Sequence, residues 1–166
     1  MPNETEIAWV RLGEQNLPRL NLPPYALEWR TAGVRNEVKC LSRLKFVVLE
    51  PEEWVRQHWL HHLSNELNYP AGLTSVEYPL ELNGMLRRAD IICHDRLGNP
   101  LLMVECKRHN VPLSKAVLDQ VLRYHLVLKT PIIVISNGLQ HQGFSFKSDT
   151  FEALESLPSY APNGAK

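Results

Sequence analysis

Asp90, Glu105 and Lys107 have the residue types and spacing to do chemistry. Glu105 and Lys107 break into an otherwise apolar stretch, Leu101-Leu102-Met103-Val104, and Asp90 lies one predicted hairpin upstream. Side chains alternate faces along a strand. Met103, Glu105 and Lys107 therefore share a face, as do Arg88, Asp90, Ile92 and His94, while Leu102, Val104, Cys106, Ala89, Ile91 and Cys93 lie on an apolar face suited to a core. A turn symmetric about Leu97-Gly98 sets Asp90 opposite Glu105 and Arg88 opposite Lys107; a bulge would shift this by one residue. Opposed strand residues sit about 4.5–5.5 Å apart at Cβ, and like charges there repel. Two carboxylates so placed call for a cation, and all-oxygen ligation with open water positions suits Mg²⁺ or Mn²⁺. Lys107 projects to the same place, where it can orient or deprotonate a water or steady charge on a phosphate. The alternative reading of these residues is an ion-pair cluster on a solvated sheet face.

The elements that must position these residues follow from periodicity and turn chemistry. Glu50-Pro51-Glu52-Glu53 reads as a helix start, with proline in the first turn and acids at the positive end of the dipole. Trp54, Val55, Trp59, Leu60, Leu63 and Leu67 form an apolar stripe that stops at Tyr69-Pro70. Residues 74–82 and 85–94 read as strands joined by Asn83-Gly84, a hairpin signal. Residues 101–107 read as a third strand, and 113–128 as a helix beginning near Ser114. The all-apolar 131–135 suggests a strand buried on both faces. An edge strand is expected over 144–147 and a short helix over 151–157.

The first fifty residues are the least regular. Residues 16–24 (NLPRLNLPP) hold three prolines, which excludes an interior helix or central strand there, and 26–30 and 45–49 read as short strands. The expected organisation is an irregular N-terminal extension (1–50) packed on a core (51–160), with a flexible tail (161–166). The order helix, three-strand meander, helix, strand predicts an α/β fold with a mixed sheet flanked by helices.

Composition narrows the class. With 166 residues and 44% hydrophobic content, the chain suits one globular domain. No apolar run reaches the roughly 18 residues of a membrane span. The start, Met1-Pro2-Asn3-Glu4, lacks a signal-peptide layout, and Cys40, Cys93 and Cys106 form no disulfide framework, which together predict the cytoplasm. Eighteen basic and eighteen acidic residues give zero net charge, which counts against tight nonspecific nucleic-acid binding but leaves room for a local basic groove of Arg87, Arg88, Lys107 and Arg108. His58 and His62 have a spacing that can hold zinc, but no HExxH motif is present and a surface or groove role is expected. Cys93 and Cys106 are expected in the core, and Trp54 and Trp59 in packing.

Arg88-Ala89-Asp90, Val104-Glu105-Cys106-Lys107 and Gln120-Val121-Leu122-Arg123-Tyr124 together resemble the D…ExK…QxxxY pattern of the PD-(D/E)XK nucleases. The variant resembles the N-terminal nuclease domain of type I restriction enzyme R subunits, and residues 52–58 (EEWVRQH) with Ile135-Ser136-Asn137-Gly138 are similar to a small standalone form. The resemblance spans about residues 20–160 and implies a restriction-endonuclease-like fold. It implies that Asp90, Glu105 and the Cys106 backbone carbonyl bind Mg²⁺ or Mn²⁺, that Lys107 is catalytic, and that Gln120 and Tyr124 line the site from their helix. The last two are i,i+4 neighbours on one helical face, which fits that placement or a structural polar pair at a helix–sheet seam. Glu66, near the end of the first helix, lies where related nucleases place an extra acid. Glu77 could join as well, because a tight Asn83-Gly84 turn sets it opposite Asp90. Arg88 and Arg108 are candidate nucleic-acid contacts. Cys40-Leu41 departs from the family pattern ahead of Arg43, as does Glu50 where a threonine helix cap is usual.

The implied activity is endo- or exonucleolytic hydrolysis of DNA, with DNA as partner and a second copy or helper protein as further expected partners. The rival reading is a non-catalytic nucleic-acid-binding or structural module that keeps the nuclease fold, and a third is action on RNA or small nucleotides. No Walker loop is present, so the sequence carries no helicase motor.

Overall fold

The computed structural model of the protein describes residues 7–148 and 150–162. Its centre is a meander. β6 (Thr74–Leu82) and β7 (Met85–His94) are joined by Asn83 and Gly84 at φ 51° and 73°, the left-handed pair that a two-residue hairpin turn needs. β8 (Pro100–Cys106) follows, and then α2 (Lys115–Leu128) crosses over to β9 (Ile132–Ser136), which runs parallel to β8. β10 (His141–Lys147) and β11 (Thr150–Leu154) add antiparallel strands, giving the order β11-β10-β9-β8-β7-β6.

A helix covers each face of this sheet. On one side, Trp54, Val55, Trp59 and Leu63 of α1 (Pro51–Asn65) pack against Ile91, Cys93, Leu102, Val104 and Cys106. On the other, Val117, Val121 and Tyr124 of α2 pack against Ala89, Ile92, Met103, Ile133 and Ile135. The sheet face expected to gather the charges is thus a second core: Ile92 and Met103 are wholly inaccessible. The charges gather only where the β7–β8 ladder ends, because α2 covers the rest of that face.

Strict alternation fails at one level. Val76 and Ile91, which are paired, face the α1 core, whereas the next pair, Tyr78 and Ala89, faces the α2 core. Between them lie Asp90 and Glu77, the latter at φ 51°. A left-handed residue inside a strand rotates the backbone, and both strands change faces there.

The N-terminal part forms a hairpin of β1 (Trp9–Leu12) and β2 (Gln15–Pro18) and a small sheet of β3 (Trp29–Ala32), β4 (Arg35–Lys39) and β5 (Phe46–Val48). The strand expected at 45–49 corresponds to β5, that expected at 26–30 overlaps β3 only at Trp29 and Arg30, and β1, β2 and β4 were not foreseen. Leu17, Leu20, Val38, Cys40 and Leu49 enter the α1 core, and the Trp54 Nε1–H donates to the Pro18 carbonyl at 2.9 Å. The three cysteines are free and buried.

At the other end, the helix expected over 151–157 is instead strand β11, so β10 is an inner strand and not the edge. Phe151 stands directly across from Phe146, with ring centroids 5.6 Å apart, and it also meets Phe144. Cross-strand aromatic pairing outweighs the weak helical pattern. Of the expected tail, residues 163–166 lie outside the described residues, as does the Met1–Glu4 stretch. No helix among the described residues is long and apolar enough to cross a membrane.

Candidate active site

The ladder between β7 and β8 has its last pair at Ile91 and Val104, and continuing that register puts Asp90 across from Glu105. Past this point the strands are held by a side chain. Asp90 Oδ2 accepts the Cys106 backbone N–H at 2.7 Å, and Oδ1 accepts Arg56 Nη2 at 2.6 Å. Glu105 Oε1 accepts both Lys107 Nζ at 2.8 Å and Gln120 Nε2 at 2.7 Å, and Gln120 Nε2 lies 3.3 Å from the Tyr124 hydroxyl. Glu105, Lys107, Gln120 and Tyr124 are therefore one hydrogen-bonded group against α2, and Asp90 adjoins it from the α1 side through the Cys106 backbone N–H. Glu105 Oε2 is buried and has no hydrogen-bond partner among the described residues.

Burial, and next the Asp90 carboxylate, push the Glu105 carboxyl up to about 8, against the opposing pull of Lys107. Burial works against the Lys107 ammonium, yet Glu105 and, behind it, Asp90 and Glu52 hold it above its ordinary range. Glu52, in the first turn of α1, is itself raised by burial and by Asp90. The site is a half-buried cation facing an excess of negative charge.

Asp90 is fixed from α1 by a buried ion network. Arg56 bridges Asp90, Glu53 and, at 3.3 Å, Glu52. Burial disfavours the Arg56 charge, but Asp90 and Glu53 outweigh it and raise its pKa. Glu53 also accepts Gln57 Nε2 at 2.7 Å and Arg43 Nη2 at 3.0 Å. The segment whose sequence departs from the family pattern thus reaches the site through Arg43, whose Nε–H contacts Cys40 Sγ at 3.2 Å. Sequence reasoning missed Glu52, Glu53 and Arg56. The available signal was an arginine three and four residues after two acids inside a largely buried helix.

Other candidates fall elsewhere. Glu66 caps the far end of α1 and makes no contact with the group. Glu77 turns outward from its left-handed backbone to Arg43 at 3.0 Å and Arg88 at 4.0 Å. Arg88 does not pair with Lys107, because the β7–β8 ladder ends at Ile91 and Val104 and the Lys107 backbone N–H donates to the Ser136 carbonyl of β9. Arg108 is exposed just beyond β8. His58 is buried, with Nδ1 on the Trp54 carbonyl at 2.8 Å, and among the described residues no three His, Cys, Asp or Glu side chains gather around a metal position.

A two-carboxylate site with a backbone carbonyl lies outside that side-chain pattern, and the residues present fit a hard cation. Glu105 Oε2 is an oxygen without a partner, Asp90 has lone pairs beyond its two hydrogen bonds, and the Cys106 peptide lies against Asp90.

The family model for the type I restriction enzyme R protein N terminus matches residues 51–158. The chain belongs to this family. The matched span holds α1, the six-stranded sheet, α2 and every residue of the group above, whereas Arg43 lies outside it. Among solved structures, a fragment assigned as an HsdR subunit of a type I restriction enzyme from Vibrio vulnificus YJ016 is similar in fold. It aligns with a TM-score of 0.52 at 19% identity, over 69% of this chain and 24% of that one. The chain thus spans about a quarter of the structure it matches, and the R-protein N-terminal domain has a restriction-endonuclease-like mixed sheet between two helices. No curated protein matches the chain by sequence.

Proposed function

We propose that this R-protein N-terminal domain hydrolyses phosphodiester bonds in DNA at the Asp90–Glu105–Lys107 group, with Mg²⁺ or Mn²⁺ as cofactor. One observation carries the reading: Glu105 Oε2 is buried, unpartnered and beside a second carboxylate. Such an oxygen is costly to keep unless something positive meets it. Asp90, Glu105 and the Cys106 carbonyl would hold the ion, which would supply positive charge at the scissile phosphate.

The chain's own residues do the rest. Arg56 and the Cys106 N–H orient Asp90, and Gln120 with Lys107 orients Glu105. Lys107, kept protonated by its acidic neighbours, positions the attacking water and meets the charge growing on the phosphate oxygens. The water oxygen bonds to phosphorus as one ester P–O bond breaks, leaving a phosphate monoester and a sugar hydroxyl.

The Arg56–Asp90 ion pair favours the rival reading of a non-catalytic module, since it neutralises Asp90 without a metal. Thermal unfolding and cleavage together separate the two. Mn²⁺ should raise the melting temperature of the wild type and much less that of Asp90→Asn. Plasmid, linear and single-stranded DNA should be cut with Mg²⁺ or Mn²⁺ and spared in EDTA, and Lys107→Ala should lose cleavage while remaining cooperatively folded. Absence of cleavage together with an equal Mn²⁺ shift in both proteins would leave the non-catalytic module.

A further inference from the structure

The β6–β7 hairpin runs past the core, and its outer part leans over α2. Between them lies a cleft of about 380 Å³, walled by Arg87 and Asn83 on the hairpin and by Arg123 on the helix, with Gln120 and Tyr124 also lining it. Gln120 belongs to both places, because its Nε2 also donates to Glu105. The cleft and the proposed reaction site therefore share Gln120 as a common wall.

Its charge is one-sided. Arg87 and Arg123 are exposed, no acid lines the cleft, and neither arginine has an ion-pair partner among the described residues. Arg87 touches only the Met85 sulfur, at 3.8 Å, among side-chain hydrogen-bond partners in the described residues. Arg30, Arg43, Arg56 and Arg88 each have a carboxylate within 4.0 Å. Two exposed guanidinium groups lining one cleft with no acid beside them offer a place to an anion, and their planar forks match a phosphate. The aromatic ring in the lining, Tyr124, is buried against the sheet and cannot stack a base. The cleft is built to hold backbone, not to read sequence.

We propose that Arg87 and Arg123 form a phosphate subsite for the DNA strand, gripping a backbone phosphate next to the scissile one. The proposal rests on the hydrolysis reading for the identity of the strand, but its test does not require cleavage. A DNA strand held there is aligned along the hairpin, with Gln120 between the gripped phosphate and Glu105. Binding through two phosphate-facing arginines is independent of sequence and sensitive to salt.

Binding of fluorescent duplex and single-stranded DNA of unrelated sequences should be measured in EDTA over a range of salt, for the wild type, R87Q, R123Q and the control R96Q. Arg96 lies in the exposed turn at the opposite end of β7. R87Q and R123Q should each weaken binding roughly 10-fold, as for loss of one charged hydrogen bond. Each should also lower the salt slope by about 1, equally for every sequence. R96Q should match the wild type, and all four proteins should melt alike because these arginines are exposed.

If R87Q and R123Q keep the wild-type slope, or if the wild type binds no DNA, the subsite is wrong whatever the cleavage assay shows. Arginine-dependent binding of an RNA oligonucleotide with none of DNA would overturn the DNA assignment. Arginine-dependent DNA binding by a protein that never cleaves would retain the subsite and discard hydrolysis.

Discussion

The two faces of the central sheet treat their carboxylates in opposite ways. On the α1 side, both Asp90 oxygens are engaged, and Arg56, Glu53, Gln57 and Arg43 continue the network into the N-terminal segment. On the α2 side, one Glu105 oxygen holds two donors and the other holds none, next to a cleft open to solvent. One face ties its polar groups into a rigid network, and the other keeps a carboxylate oxygen unengaged. Functional sites commonly rest on such a division, a fixed support beside an unsatisfied reacting group.

Breaking the rigid side should have the largest effect. Arg56→Ala strands Asp90 and Glu53 as buried charges without their shared cation, and removal of one partner from a buried pair costs about 3–5 kcal/mol. Chemical denaturation should show that loss with an unchanged m-value. A loss below about 1 kcal/mol, the range of exposed pairs, would mean the network is hydrated and the two faces are not so different.

On the open side, Gln120→Ala removes one donor from Glu105 while Lys107 keeps the other, so the stability loss should be only about 1–2 kcal/mol. Cleavage should fall far more than stability, and Mn²⁺ stabilisation should persist because an amide competes poorly with carboxylates for a hard cation. Tyr124→Phe should follow with a smaller effect, since its hydroxyl reaches Glu105 only through Gln120. Equal stability losses for Gln120→Ala and Arg56→Ala would erase the contrast.

The smallest effect concerns pH. Burial lowers His58, His61 and His62 on α1 and His141 on β10 below the ordinary 6.5. As pH falls through that value the unfolded chain takes up protons that the folded chain refuses. The stability associated with neutral histidines is therefore present above about 6.5 and lost below it. Glu105 acts with the opposite sign: its folded carboxyl titrates near 8 against an ordinary 4.5, so its share falls as pH rises through that window. The difference in melting temperature between wild type and His58→Gln cancels Glu105 and should narrow between pH 7 and pH 5. A constant difference would show that His58 charges freely in the folded state.

Much of this architecture is legible locally. Asn83-Gly84 specifies the hairpin, the apolar run before Glu105 specifies β8, and the three-and-four spacing of Val117, Val121 and Tyr124 specifies the buried side of α2. Each signal lies within a few residues of what it determines. The Gln120 and Tyr124 pair belongs here too, since a helix sets both on one side wherever it packs. The β11 strand was less legible, because Phe151 gains its partner only when β10 lies alongside.

What the sequence by itself determined is the run of elements from α1 to β9 and which residues crowd the end of the β7–β8 ladder, because turn chemistry and hydrophobic period act over short separations. Tertiary structure alone decided that α2 buries the Ile92 and Met103 face of β7 and β8, that β6 and β7 change faces at Glu77 and Asp90, and that Arg56 rather than a second strand residue neutralises Asp90. Arg56 and Asp90 are 34 residues apart. Nothing in either local pattern names the other, and only the packing of α1 onto the sheet, driven by its apolar residues, brings the two charges into a place too dry for them to remain apart.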